Sequence, residues 1–259
     1  MSAISVYILT FNEEDKIRAA IESVSWADEI IIADSFSTDK TVEIAQELGA
    51  KVVPTPFEGF GKLRNDAVAA CTHEWIFSLD ADERCTPEAR EEMLGIVSQT
   101  DAADAYYMPR RNYFMGRWIK HSGWYPDYRQ PQLFRKGAVV YSDLDEVHEG
   151  YDIKGETGYL KQAIWQIPFK NFAQVVAKSN RYSTLGAKKL GRNNRRASMM
   201  LALLHALGAF TRIYILRLGF LDGWAGFVLA LGNFEGTFYR YAKLVEQQKG
   251  WDQAVSKGP

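Results

Sequence analysis

The chain of 259 residues carries 31 Lys and Arg against 32 Asp and Glu, and 47% of its residues are hydrophobic. This composition is too apolar and too balanced in charge for a disordered chain, and it suffices for one large domain or a domain with an appendage. The two cysteines, Cys71 and Cys85, do not suggest a disulfide framework, so a reducing compartment is expected. Because the first residues lack a basic stretch ahead of an apolar one, no signal peptide is expected.

The first hundred residues alternate apolar strands with helical segments. Strands are predicted over 4–10, 29–34, 51–55 and 74–82, and helices over 13–25, about 41–48, 61–70 and from Pro87 onward. This alternation predicts the α/β class, with a mostly parallel sheet flanked by helices. In such sheets ligands bind outside the carboxyl ends of the strands.

The pattern changes at about residue 105, where the chain becomes rich in aromatic and turn residues. Short strands near 131–135 and 138–141 predict an antiparallel edge, and helices dominate from about 171 to 247. We therefore expect an α/β domain over 1–160, followed by a helical region over 161–259.

Charge is distributed unevenly between these two regions. Residues 1–156 hold 28 acidic and 16 basic residues, whereas residues 157–221 hold 11 basic residues and no acidic one. Such a segment is suited to an anionic partner. Nucleic acid is disfavoured as that partner, because no nucleic-acid-binding module accompanies the charge.

Apolar stretches follow the basic run. Residues 197–211 and 223–234 carry no charge, but each is shorter than the ~20 residues that a membrane-spanning helix needs. Basic residues beside apolar faces are typical of helices that lie in the membrane interface, so we expect peripheral binding to an anionic membrane. The alternative is a pair of core helices that pack on the first domain.

The strongest chemical signal is a group of carboxylates, Asp80, Asp82 and Glu83, at the end of the fourth predicted strand. Unpaired, these charges would repel one another. A divalent cation, Mg²⁺ or Mn²⁺, would relieve the repulsion, because such ions prefer carboxylate oxygens. The alternative is an acidic cap of the helix that begins at Pro87.

Polar residues also follow the first two strands. Thr10, Asn12 and Glu13 follow the first strand, and Asp34 ends the second. Asp34 suits either a turn or a contact with the ribose or base of a nucleotide. Polar groups at three strand ends predict one ligand site at this edge of the sheet.

Three motifs resemble those of family 2 glycosyltransferases with the GT-A fold. They are T-F-N-E-E at 10–14, D-S-x-S-T-D at 34–39 and L-D-A-D-E at 79–83. The run at 109–128, V-H-E at 147–149 and the run at 214–226 resemble the lipopolysaccharide-core β-1,4-glucosyltransferase branch. One departure is Phe36, which stands where the family usually has glycine.

The resemblance implies an inverting enzyme that moves glucose, or a similar hexose, from a UDP-sugar to a heptose-containing, lipid-linked inner-core acceptor. Its place would be the cytoplasmic face of the bacterial inner membrane. Two alternatives are a transferase that acts on polyprenyl phosphate or another surface glycan, and an inactive membrane-bound nucleotide-binding scaffold.

The resemblance also implies roles for particular residues. The uridine site would contain Thr10, Asn12, Glu13 and Asp34, the ribose or sugar side would contain Asp80 and Ala81, and Asp82 would bind the metal. Lys62 and Arg64 would add positive charge near the donor, or would be solvated residues of a first helical turn.

Inversion requires a general base that deprotonates the acceptor hydroxyl. We favour Glu149, followed by Glu146 and then Asp127, and we expect His148 near the diphosphate or metal. An exposed acidic loop is the alternative. The aromatic residues Trp118, Trp124, Tyr125 and Tyr128, interleaved with basic residues, suit either a sugar-phosphate acceptor or an aromatic mini-core.

Overall fold

The computed structural model describes residues 3–142 and 150–251. The chain divides into two compact units, of which the first comprises residues 1–111 and 126–167 and the second comprises residues 112–125 and 168–259. The predicted domain boundary follows residue 160. In the structure, the last boundary between the two units lies a few residues later, between residues 167 and 168.

Strands are concentrated before residue 167, and long helices follow. The strands are β1 Ile4–Thr10, β2 Glu29–Asp34, β3 Lys51–Pro54, β4 Trp75–Asp80, β5 Glu83–Arg84, β6 Ala105–Tyr107, β7 Arg110–Phe114, β8 Arg117–Trp118, β9 Pro131–Arg135, β10 Val139–Tyr141, β11 Tyr151–Ile153, β12 Thr157–Tyr159 and β13 Ile164–Gln166. The α-helices are α1 Ile17–Ser23, α2 Thr41–Glu47, α3 Phe60–Ala70, α4 Pro87–Val97, α5 Phe172–Arg192, α6 Met199–Thr211 and α7 Gly223–Lys249.

A seven-stranded sheet forms the first unit, in the order β12-β6-β9-β4-β1-β2-β3. Strands β1 to β4 are mutually parallel where they pair, and β9 is antiparallel to both β4 and β6. The predicted class, a mostly parallel sheet with flanking helices, is confirmed.

Side chains of β1 alternate between two hydrophobic clusters. Val6 and Ile8 pack in the same cluster as Ile17 and Ile21 of α1. Tyr7 belongs to the cluster on the other face, which includes residues of α3. Because both faces of the sheet are covered, the central strands are almost continuously apolar, as parallel strands are in general.

Two predicted elements are shorter in the structure, and both changes affect the ligand edge. The first helix begins at Ile17 rather than residue 13, because Asn12 turns the chain with φ 55°. The fourth strand ends at Asp80 rather than residue 82, because the chain turns into β5, which pairs antiparallel with β13.

The second unit contains α5, α6 and α7 and the part of the β7–β8 hairpin from residue 112 onward. Its hydrophobic cluster includes Phe114, Ile119, Ala225 and Leu229. Among the described residues one helical stretch, Met199–Leu216, is long and apolar enough to cross a membrane by length and composition. Core helices of soluble proteins can have the same composition, but only 17% of this stretch is buried.

Candidate active site

The parallel register brings three strand ends together at one edge of the first unit. Thr10 at the end of β1 lies opposite Asp34 of β2, and Leu9 lies opposite Asp80 of β4. The predicted polar residues at these strand ends therefore lie on adjacent strands, where ligands bind in sheets of this class.

Asp34 is buried and accepts hydrogen bonds that shape the turn after β2. Its Oδ1 accepts from Thr10 Oγ1 at 2.9 Å and from Ser37 Oγ at 2.5 Å, and its Oδ2 accepts from the Ser37 backbone N–H at 2.8 Å. Phe36 in this turn has φ 61°, the left-handed conformation that favours glycine. The turn role of Asp34 is thus present in the structure, and its contact with a nucleotide stays a prediction.

Asn12 and Glu13 join the loop after β1 to the loop after β2. Asn12 Oδ1 accepts from the Thr38 backbone N–H at 2.8 Å, and the Glu13 backbone N–H donates to Thr41 Oγ1 at 2.8 Å. The Glu13 carboxylate also pairs with Lys16 at 2.9 Å. These contacts fix the two loops that border the edge.

Asp80 projects from β4 beside a buried arginine. Arg64 of α3 donates to Asp80 Oδ1 at 3.1 Å and to Ser78 Oγ at 3.2 Å. Burial opposes ionisation of Asp80, but the positive charges of Arg64 and Arg110 outweigh it and hold the pKa of Asp80 below its ordinary value. Asp80 is therefore a carboxylate at neutral pH.

Lys62 and Arg64 occupy different environments on α3. Arg64 is buried, whereas Lys62 is half-exposed and pairs with Asp66 at 2.7 Å, one helical turn away. Lys62 thus occupies a solvated helix position, and a role of Arg64 near the donor stays a prediction.

Asp82 lies in the turn between β4 and β5, next to the buried Ala81. The Gln166 side-chain amide lies 3.4 Å from both carboxylate oxygens of Asp82. Gln166 Oε1 is itself buried, with no hydrogen-bond partner among the described residues. Asp82 and Gln166 thus supply oxygen atoms of the kind that a hard divalent cation prefers.

Glu83 and Arg110 form a buried ion pair that sequence reasoning missed. Glu83 Oε1 lies 2.6 Å from Arg110 Nε, and each side chain is 1% exposed. Glu83 Oε2 accepts from the Asp80 backbone N–H at 3.0 Å and from Gln132 Nε2 at 3.1 Å. Burial and the charges of Asp80 and Asp82 raise the pKa of Glu83 to about 7, against the opposing effect of Arg110. The pair fixes the turn that carries Asp80 and Asp82.

Asp127 is the one predicted base among the described residues. It has φ 50° and pairs with the exposed Arg129 at 2.8 Å. Its backbone carbonyl accepts from Arg110 at 3.1 Å, and Arg129 also lowers the pKa of Asp80, so Asp127 belongs to the same charged edge. The predicted residues Glu146, His148 and Glu149 lie outside the described residues.

Aromatic residues of the run at 109–128 have different surroundings. Trp124 packs edge-on against Phe114 in the second unit, as the mini-core alternative expects. Trp118 packs against the exposed Tyr125, and the Lys120 ammonium lies 4.8 Å from the Trp118 ring centroid. Trp124 therefore fits the mini-core alternative, and contact of Trp118 and Tyr125 with a sugar-phosphate acceptor stays a prediction.

A divalent cation fits the chemistry of this edge. Among residues 3–142 and 150–251, no group of three or more His, Cys, Asp or Glu side chains could hold a metal. Mg²⁺, however, commonly binds through one or two carboxylates together with substrate phosphates. Asp82 provides one such carboxylate, and a diphosphate would provide further oxygens.

Comparison with known proteins identifies the class of protein. The model of glycosyl transferase family 2 matches residues 5–167, more than half of the chain. The chain therefore belongs to glycosyl transferase family 2, as the three motifs predict, and the sheet agrees with the predicted GT-A fold class.

Relatives extend the similarity beyond the first unit. An uncharacterized glycosyltransferase of Rickettsia felis is 30% identical over 95% of this chain and 90% of its own length. The lipopolysaccharide core biosynthesis glycosyltransferase LpsC of Rhizobium meliloti is 28% identical over 94% of this chain and 92% of its own length.

One similar solved structure matches part of the chain. Glucosyl-3-phosphoglycerate synthase from Mycobacterium tuberculosis, in complex with Mn²⁺, UDP and glucosyl-3-phosphoglycerate, is 27% identical, with a TM-score of 0.38. This match spans 42% of the present chain and 44% of that one, so it covers less than half of either protein.

Proposed function

We propose that this glycosyltransferase is an inverting, metal-dependent enzyme that transfers glucose, or a similar hexose, from a UDP-sugar. The acceptor is a heptose-containing inner-core oligosaccharide of lipopolysaccharide, still linked to its lipid. The observation that carries the proposal is the edge of the sheet where Asp80 and Asp82 lie among buried and exposed arginines.

This edge combines both charges that a sugar diphosphate and its cation require. Asp82 would hold the divalent cation, with the Gln166 oxygen as a further hard donor, and Asp80 would face the ribose or sugar side. When bound, the cation stabilises the negative charge that develops on the departing diphosphate. Arg64 and Arg129, both near Asp80, would add positive charge on the same side.

The transfer exchanges one bond at the anomeric carbon of the sugar for another. The bond from this carbon to the diphosphate oxygen breaks, and UDP leaves with the bonding electrons. The acceptor oxygen forms its bond on the opposite face of the sugar, and its proton passes to the general base. Glu149 is the base in this proposal, with Glu146 and Asp127 as the next candidates.

The acceptor assignment rests on similarity and charge. LpsC, a relative that spans nearly all of this chain, is a glycosyltransferase of lipopolysaccharide core biosynthesis. The acid-free segment 157–221 and the largely exposed Met199–Leu216 helix would hold the enzyme at the cytoplasmic face of the inner membrane as a peripheral protein. A membrane-bound enzyme would meet a lipid-linked acceptor at the surface where that acceptor lies.

A panel of UDP-sugars tests the donor and the metal. We expect UDP-glucose, or one close epimer, to raise the melting temperature only when Mg²⁺ or Mn²⁺ is present, because a bound ligand stabilises the folded state. The Asp82→Asn variant should lose this shift. The matched control, Asp66→Asn, removes a carboxylate from the surface pair with Lys62 and should keep it. A full shift in Asp82→Asn would contradict the metal assignment.

Transfer assays then test the acceptor. Purified enzyme is given the preferred UDP-sugar with heptose-containing lipid A precursors or with polyprenyl phosphate. We expect transfer to the heptose-containing lipid and an inverted configuration at the new bond. Transfer to polyprenyl phosphate alone would replace the acceptor, and donor binding without any transfer would favour the inactive scaffold.

A further inference from the structure

A groove of about 340 Å³ lies between α6 and α7 in the second unit, outside the proposed active site. Its polar lining consists of His205 and Arg212 from the α6 side and Thr237, Arg240 and Tyr241 from α7. The lining contains no acidic side chain. Hydroxyl groups, an imidazole and two guanidinium groups are a set that suits an oxyanion.

Helical spacing places these side chains together. On α7, Arg240 and Tyr241 follow Thr237 by one turn, so all three share a face. The His205 ring stacks on Tyr241 with centroids 4.4 Å apart and planes 3° apart, which joins the two helices at the groove. Arg212 begins a single π-helical turn, Arg212–Leu216, a feature that is frequent at functional sites.

A glycine on a third helix makes room for one of the arginines. An added Cβ at Gly186 of α5 would lie 2.7 Å from Arg240 Nε and 2.9 Å from Arg240 Cδ. The Arg240 side chain therefore lies directly across the backbone of α5. A glycine inside a helix is less favourable than alanine, and here it permits the observed position of Arg240.

Within residues 3–142 and 150–251, neither of these guanidinium groups is paired with a carboxylate. No Asp or Glu in the part of the chain that the structure describes lies within 4.0 Å of Arg212 or Arg240. The groove is thus a concentration of positive charge without internal neutralisation, a condition that favours an external anion.

Exposed apolar side chains of α6 flank the groove. Met200, Leu204 and Leu207 are 66%, 58% and 49% exposed, and Leu204 itself lines the groove. A soluble phosphate has no apolar part that could contact these side chains. An anionic lipid offers a phosphate to the arginines and acyl chains to the apolar residues.

We propose that the groove between α6 and α7 is a binding site for the phosphate headgroup of an anionic membrane lipid. Arg212 and Arg240 bind the phosphate oxygens, Thr237 donates a further hydrogen bond, and the exposed leucines of α6 contact the acyl chains. The inference rests on the proposed membrane association and adds a specific site to the general attraction of basic residues to the membrane.

The full-length protein is tested by flotation with phosphatidylcholine vesicles that contain or lack phosphatidylglycerol. The variant Arg212→Gln/Arg240→Gln is compared with Arg192→Gln/Arg195→Gln, which removes equal charge from exposed residues outside the groove. Surface charges act additively, at about fivefold in affinity each. We expect the groove variant to lose about tenfold more than the control, because charge-assisted hydrogen bonds are lost as well. Equal losses in the two variants would overturn the site.

A second variant tests the position of Arg240 with the charge unchanged. Gly186→Ala should keep or raise the melting temperature and still weaken binding to phosphatidylglycerol vesicles, because the new Cβ displaces Arg240. Unchanged vesicle binding in Gly186→Ala would contradict the proposal.

Two further arms identify the source of the phosphate and separate this inference from the proposed function. Saturable binding of inorganic phosphate that the groove variant abolishes, without any loss of vesicle binding, would assign the groove to a soluble anion and overturn the lipid assignment. Metal-dependent stabilisation by UDP-sugars should be equal in wild type and groove variant. If UDP-sugars fail to stabilise the wild type with metal present, the proposed function is refuted and the vesicle result is unaffected.

Discussion

Replacement of Arg110 by methionine removes one partner of the buried pair beneath Asp80 and Asp82. Methionine has a comparable length and no charge, so the change removes the ion pair and leaves much of the volume filled. The Glu83 carboxylate would then keep only the Asp80 backbone N–H and the Gln132 amide as donors among its present partners.

The magnitude follows from burial. Both side chains of the pair are 1% exposed and their charged atoms are 2.6 Å apart. Loss of one partner from such a pair costs about 3–5 kcal/mol, because the remaining charge is buried without compensation. A matched control is the Arg18–Glu47 pair, whose side chains are 50% and 55% exposed. Arg18→Met should cost about 0–1 kcal/mol, since water screens exposed pairs.

The assay is urea unfolding of the two variants and of wild type at several pH values. Because the pKa of Glu83 is raised in the folded protein, the folded state binds the proton more tightly than the unfolded state. The free energy of unfolding should therefore fall as the pH rises from 4.5 to about 7, and in Arg110→Met the fall should continue to higher pH, because loss of Arg110 raises the pKa of Glu83 further. Equal destabilisation by Arg110→Met and Arg18→Met would refute the buried pair.

Three further variants or treatments test the site and the core. Asp82→Asn should abolish metal-dependent transfer. Its melting temperature without ligand should stay close to that of wild type. Full transfer by this variant would contradict a metal role for Asp82. Glu149→Gln should retain UDP-sugar binding by calorimetry and lose turnover, whereas normal turnover would move the base to Glu146. Burial raises the pKa of Cys71 and Cys85 to about 12, so mass spectrometry should find no iodoacetamide adduct on the native protein at pH 8 and complete labelling after unfolding, because only thiolates react.

Hydrophobic periodicity predicted the central sheet closely because its strands are buried on both faces. Strands β1, β2 and β9 have the predicted bounds, and the parallel order follows from the alternation with helices. Errors occurred where side chains bond to a backbone distant in sequence. The loop after β1 extends into the predicted helix because the Thr38 backbone N–H donates to Asn12 Oδ1 and the Glu13 backbone N–H donates to Oγ1 of Thr41, the first residue of α2.

The buried pair escaped prediction for a related reason. Glu83 stands three residues after Asp80 and four before Pro87, a place typical of an acidic helix cap, and Arg110 stands in an aromatic run that suits an acceptor. Only the pairing of β5 with β13 and the course of the chain bring Glu83 into the core beside a residue 27 positions away. The local signal for the pair was the excess of carboxylates at 80–83, because clustered carboxylates require a positive charge nearby.

The apolar C-terminal helices were expected to be either membrane-interface helices or core helices, and these alternatives predict opposite exposure of the apolar side chains. Core helices would bury most of their apolar side chains, yet Leu216 is 72% exposed and Trp224 is 78% exposed. Basic residues lie close by, since Arg212 begins the π-helical turn that ends at Leu216, and Arg217 follows it directly. Exposed apolar side chains beside arginines are stable at a membrane surface, because acyl chains cover the apolar groups and lipid phosphates neutralise the arginines. This exposure supports the proposed membrane association, and under that proposal Leu216→Ser with Trp224→Ser should weaken vesicle binding even at high salt, where attraction by the arginines alone is screened.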